Sequence, residues 1–330
     1  MYSSTIRDLV GMVEKDFHRQ NLLCSFYYAT VHFMLFSQLT IYCVLIALAS
    51  LFGGSLTSLV KLTHRRIQLT LSFVSGVMLG VALLALLPHS INLLGRSEPA
   101  LVTCLCGLLF MFFMIRMFHF HQHDLAVDSE HSHAQKELCD HEQDHHHVHC
   151  DHHSGEMDFS WLGLCFGLAV HTIIDGVALA AAVQTTSPIG YSIGGLGVFL
   201  AILLHKPLDA LSITSLMSAK GWSPSRQLAV NLIFCLMCPL GALVFAMTVE
   251  QYGQWRDIVL GFALAFSAGI FLCISLGDLL PEVHFHSHDR VQLSIMLLLG
   301  VLVAFLIELS HSHDSSKELP VQNSIEVQSQ

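Results

Sequence analysis

The chain is 330 residues long, 53% hydrophobic and only 12% charged. Soluble domains average about 25% charged residues, so this composition excludes an ordinary water-soluble fold and points to a chain that crosses a membrane several times. The formal net charge of −10 sits largely in polar segments and leaves no nucleic-acid footprint.

Residues 1–37 are read as an extracytosolic N-terminal tail. Within it, 24–36 is a weaker apolar stretch, either interfacial or an extension of the first span. About 20 apolar residues cross a bilayer. Eight stretches qualify, near 38–60, 68–91, 100–118, 159–184, 195–218, 227–249, 257–280 and 291–309. Lipid offers no partners to open strands, and these lengths suit helices. The predicted fold is therefore all-α, a polytopic bundle of eight transmembrane helices. Helices 1–3 fill 38–118 and helices 4–8 fill 159–310.

Lysine and arginine set the orientation. One set of connections holds Lys61, Arg65, Arg66, Arg116, Lys136, Lys220, Arg226 and Arg290. The other, with both tails, holds Arg7, Lys15, Arg19, Arg96, Arg256 and Lys317. The first set is assigned to the cytosol, which leaves both termini extracytosolic. Residues 119–158 then form a cytosolic loop with twelve histidines between 119 and 153, His145, His147 and His149 among them. With few apolar residues the loop is expected to be disordered and to bind metal with low affinity. Residues 311–330 form a polar tail.

Glycines at Gly76 and Gly80, and at Gly163 and Gly167, are spaced for close helix approach. Ten cysteines lie mostly in apolar runs. Cys235-Leu-Met-Cys238 sits mid-span and is read as packing rather than a zinc site.

The chemistry lies in two consecutive spans, His171-Thr-Ile-Ile-Asp175 and His205-Lys-Pro-Leu-Asp209. A spacing of four places both side chains on one helix face. In an antiparallel pair joined near 185–195, Asp175 faces His205 and His171 faces Asp209, all within about one turn of depth. Two nitrogens and two oxygens suit a four-coordinate divalent ion. Ionisable groups in mid-membrane cost about 2.5–3.5 kcal/mol each on insertion scales, which marks them as functional. Nitrogen and oxygen ligands suit zinc, and equally Fe2+, Mn2+ and Cd2+. Pro207, between the second pair, removes a backbone donor and is expected to open the helix there. Lys206 is a cation beside the ligands and is expected to pair with Asp175 or Asp209, or to take the place of a second ion. His89, after Pro88 at the outer end of span 2, is the candidate entrance. Asp278, Glu282 and His284 at the inner end of span 7 are the candidate exit. Glu308 is read as interfacial.

On these residues the chain resembles the ZIP (Zrt/Irt-like) family of metal transporters over about 38–310. Leu86-Leu87-Pro88-His89 and Leu279-Leu280-Pro281-Glu282 look like its signatures in spans 2 and 7. The resemblance implies a carrier that is no enzyme and has no resident cofactor, moving zinc or related ions into the cytosol in a plasma or organelle membrane. It also implies a homodimer, and movement of spans 1, 4, 5 and 6 against 2, 3, 7 and 8. Where two-metal members place ligands after each histidine, this chain has Thr172 and Lys206, which favours a single ion. Span 5 lacks the second histidine-glutamate of the LIV-1 subfamily, so the chain is expected to stand outside it. The competing readings are an efflux carrier of the cation diffusion facilitator type, which has six spans and a folded C-terminal domain, and an intramembrane zinc hydrolase, although no H-E-x-x-H occurs. A metal-sensing receptor is a third.

Overall fold

The computed structural model describes residue 26 and residues 29–55, 64–119, 159–185, 195–285 and 290–315. Residues 120–158 of the histidine-rich loop, 1–25 and 27–28 of the N-terminal tail and 316–330 of the C-terminal tail lie outside the described residues, while the first helix takes in 29–36 of the weaker apolar stretch as an extension of the first span. Among the described residues every regular element is helical. They are α1 (Ala29–Ser55), α2 (His64–Gly80), a π-helical turn (Val81–Leu86), α3 (Leu87–Leu94), α4 (Ser97–His119), α5 (Phe159–Gln184), α6 (Leu196–Ala219), α7 (Pro224–Val249), a 3₁₀ segment (Glu250–Trp255), α8 (Arg256–Phe285) and α9 (Arg290–Ser315). Among the described residues seven stretches are long and apolar enough to cross a membrane, the sixth a 54-residue run from Pro224 to Gly277.

Local chemistry explains the breaks. Pro88 cannot donate to the carbonyl four residues before it, and its ring crowds that carbonyl. The wider π turn at Val81–Leu86 directly precedes it, so the chain passes from α2 into α3 as one candidate span, Arg65–Leu94. Gly95, left-handed at φ 65°, ends α3. At the end of α6 the amide of Gly221 (φ 72°) donates to Ser218, and that of Trp222 to Met217 at 3.0 Å. This closure hands the chain to Pro224 at the start of α7. The long sixth run breaks at Gly253, where φ 51° and ψ −116° are not helical. Arg256 then reaches back to the Gln184 carbonyl at the end of α5 at 3.2 Å, covering an acceptor that the helix leaves open.

The molecule is apolar outside as well as inside. Phe33 and Phe52 on α1, Phe113 on α4, Met247 on α7 and Leu298 on α9 are exposed, as lipid-facing side chains are. Hydrophobic burial therefore does little to hold the helices together, and close packing must do more. Three helix pairs pack extensively, α2 with α9, α4 with α8 and α5 with α7. Each is knit by a reciprocal pair of glycines. On α5, Gly176 lies against the Cys238 carbonyl of α7, and on α7, Gly241 lies against the Ile173 carbonyl of α5. A Cβ at either position would run into partner backbone. Gly76 with Gly300, and Gly107 with Gly269, make the same approach in the other two pairs. Pro207 is held within an unbroken α6, and its backbone is covered by Gly53 of α1.

Candidate metal centre

His171 and Asp175 come from the middle of α5, and His205, Lys206 and Asp209 from the middle of α6. One ligand atom from each of His171, Asp175, His205 and Asp209 lies within 4.8 Å of the others. Asp175 Oδ2 is 3.3 Å from His205 Nε2 and 3.4 Å from His171 Nε2. Asp209 Oδ2 is 3.8 Å from each of the same nitrogens. The two imidazoles stack, with centroids 5.5 Å apart. His171, Asp175 and His205 are buried, and Asp209 alone keeps partial exposure, 20% of its side chain.

The donor chemistry is that of a cation site. His205 Nδ1–H donates to the Ala201 carbonyl at 2.8 Å, so in the neutral ring Nε2 carries a lone pair. That lone pair faces the Asp175 carboxylate, which also only accepts. Two acceptors this close attract a cation that bonds to both. His171 has neither ring nitrogen in a hydrogen bond, and Asp175 Oδ1 is likewise unpartnered, although all three atoms are buried. Ligands about 2.0–2.1 Å from a tetrahedral zinc lie about 3.3 Å from one another, close to the His–Asp separations found here.

Lys206 is among the largest fully buried side chains of the described residues. Its ammonium is 2.5 Å from Asp175 Oδ2 and 2.9 Å from Asp209 Oδ2. It also donates to Thr172 Oγ1 at 3.1 Å and lies 5.9 Å from the centre of the Phe234 ring. Sequence reasoning put Lys206 beside one carboxylate or the other; it bridges both. Two carboxylates against one ammonium leave the cluster a net negative charge when the imidazoles are neutral.

The other candidate residues lie apart. His89 is near the start of α3, exposed, with Nδ1 2.8 Å from the Ala85 carbonyl. Glu308 of α9 is 3.9 Å from it, so this residue has a partner that the sequence did not suggest. Asp278, Glu282 and His284 belong to the last turns of α8, which continues through Pro281 to Phe285. His145, His147 and His149 fall outside the described residues. Sequence reasoning missed the Ala201 carbonyl, the Phe234 ring, and Phe271, whose ring meets His205 edge-on at 6.1 Å. A carbonyl four residues before a histidine is available in any helix. The two phenylalanines come from α7 and α8, whose packing the local pattern does not encode.

A sequence model of the ZIP zinc transporter family matches residues 36–308. Zinc transporter ZIP9 of Micropogonias undulatus is 32% identical over 185 residues, 51% of this chain and 58% of that protein. Zinc transporter ZIP1 of Danio rerio is 26% identical over 53% of this chain and 55% of its own length. Zinc transporter ZIP10 of Homo sapiens is 26% identical over 57% of this chain and 24% of its own. The chain thus spans little more than half of the first of these relatives. These relatives do not confirm the expectation that the chain stands outside the LIV-1 subfamily. A short motif in one span is too small a part of the sequence to decide a subfamily. The efflux-carrier and hydrolase readings find no support. With most of its length matched by the family, and with its long apolar helices, this chain is a multi-pass membrane protein that belongs to the ZIP zinc transporter family.

Proposed function

We propose that this chain carries divalent metal ions, zinc foremost, into the cytosol through His171, Asp175, His205 and Asp209. The observation that carries the reading is the meeting of four potential ligand atoms from α5 and α6 within 4.8 Å, with the His205 Nε2 lone pair aimed at the Asp175 carboxylate. The names of the relatives, all zinc transporters, agree with it. Lys206 stands for a second ion beside Thr172, so the site takes one metal. His89 is the entrance, with Glu308 beside it, and Asp278, Glu282 and His284 are the exit. The histidines of the 119–158 loop bind metal weakly and regulate.

The chain crosses the membrane eight times, with both termini extracytosolic. The 54-residue run is about 80 Å long at 1.5 Å per residue, far more than a core of about 30 Å needs, and its break at Gly253 supports two crossings. A thiol-reactive, membrane-impermeant label on Gln251→Cys is expected to react from outside. Reaction only after permeabilisation would reverse the orientation. The homodimer expected from the resemblance is tested by cross-linking in native membranes.

The test of the transport site is uptake of radioactive zinc by cells expressing the full chain. His171→Ala and Asp175→Ala are expected to abolish uptake with surface protein unchanged. Full uptake by both variants would overturn the assignment. A count of two tightly bound ions between α5 and α6 would overturn the single-metal reading.

A further inference from the structure

The same two oxygens serve both cations. Asp175 Oδ2 and Asp209 Oδ2 are the atoms nearest the histidine nitrogens, and they are also the atoms that hold Lys206 Nζ. An arriving ion bonded to these oxygens shares them with an ammonium less than a residue's width away. A divalent ion and an ammonium gripping one pair of carboxylates in a buried site repel strongly. The ammonium has another place to rest. Thr172 Oγ1 already accepts from it at 3.1 Å and the face of Phe234 already lies 5.9 Å away, so a small swing keeps the hydrogen bond and tightens the cation–π contact. Both positions are buried, and the lysine stem need not leave the site.

We propose that Lys206 is a tethered substitute cation. In the metal-free carrier it bridges Asp175 and Asp209 and offsets half of their charge, the incoming ion displaces it towards Thr172 and Phe234, and its return to the carboxylates expels the ion. The inference rests on the transport reading above. It assigns Lys206 a part in release and turnover, beyond filling a second site. Without the ammonium the metal-free site holds two buried carboxylates with no counter-charge, a state that keeps its metal. Lys206 therefore weakens binding and speeds release.

The test uses the purified full chain in lipid nanodiscs for zinc titration, and in liposomes for zinc flux. Lys206→Met is expected to bind zinc at least about tenfold more tightly and to lower both KM and the maximal flux. Lys206→Arg keeps the charge and is expected to bind weakly, as the wild type does. Thr172→Val removes the resting place without touching the charge. It is expected to weaken zinc binding in the wild type and to have no effect in the Lys206→Met background, because the two residues act as one unit. If Lys206→Met does not fold, the comparison of Thr172→Val in the wild type and in Lys206→Gln gives the same answer. Wild-type binding that depends on His171, with Lys206→Met no tighter, overturns this inference alone. Equal effects of Thr172→Val in both backgrounds also overturn it. Binding that does not depend on His171 overturns the transport reading instead.

Discussion

Helix α5 has two different neighbours, and adjacent residues serve them. Asp175 turns to α6 and meets His205 and Lys206, while Gly176 turns to α7 and lies against the Cys238 carbonyl. The α5–α7 contact is backbone against backbone, with no room for a methyl group. The α5–α6 contact is made by long polar side chains that need the helices to stand apart. In lipid, close packing of small residues holds helices together, whereas polar groups are costly and are kept for function. The glycine-knit face fixes the depth and rotation of α5, and that in turn aims His171 and Asp175 at the neighbouring helix. The other two knit pairs, α2 with α9 and α4 with α8, repeat the first kind of contact and hold no comparable cluster among the described residues.

If the two faces divide the work in this way, breaking them should give different losses. The largest effect is expected on the knit face. Gly241→Leu drives a side chain into the Ile173 carbonyl and should cost about 3 kcal/mol or more. The outcome is loss of folded protein, read as a vanished monodisperse peak in detergent; a well-folded variant would show that the close approach is dispensable. Asp175→Asn should do the reverse. The shape is kept, the protein elutes as before, and zinc affinity falls by more than about a hundredfold, since removing an outer partner alone costs 10–100-fold. Unchanged affinity would remove Asp175 from the ligand set. His89→Ala lies outside both faces and is expected to raise KM for zinc with little change in maximal flux. A fall in maximal flux alone would place His89 in a later step. The smallest effect is expected from deletion of residues 121–153, which should leave transport itself largely intact and alter its regulation. Complete loss of uptake at normal surface expression would contradict that.

The site was more legible in the sequence than the scaffold was. A spacing of four fixes a helix face, and matched distances from a shared connection fix depth, so the meeting of four side chains could be read from two short motifs. Hydropathy likewise located the candidate spans, because the length needed to cross lipid is set by the bilayer. The knit pairs were only half visible. Gly76 and Gly80 show a small-residue spacing, but Gly300, which meets the same interface from α9, is a lone glycine. Nothing local says which lone glycine meets which helix. The π turn before Pro88 was not foreseen either, since the proline announces a disturbance without saying whether the helix kinks, ends or widens. Lys206 was recognised as out of place, yet its grip on both carboxylates depends on the closeness of α5 and α6, which only three dimensions supply.

The central claim is that zinc passes through the cluster between α5 and α6. Zinc flux into liposomes holding purified wild type beside His205→Ala, at equal protein incorporation, tests it most directly. Saturable flux in the wild type and background flux in His205→Ala is the predicted result; equal flux in the two would contradict the account.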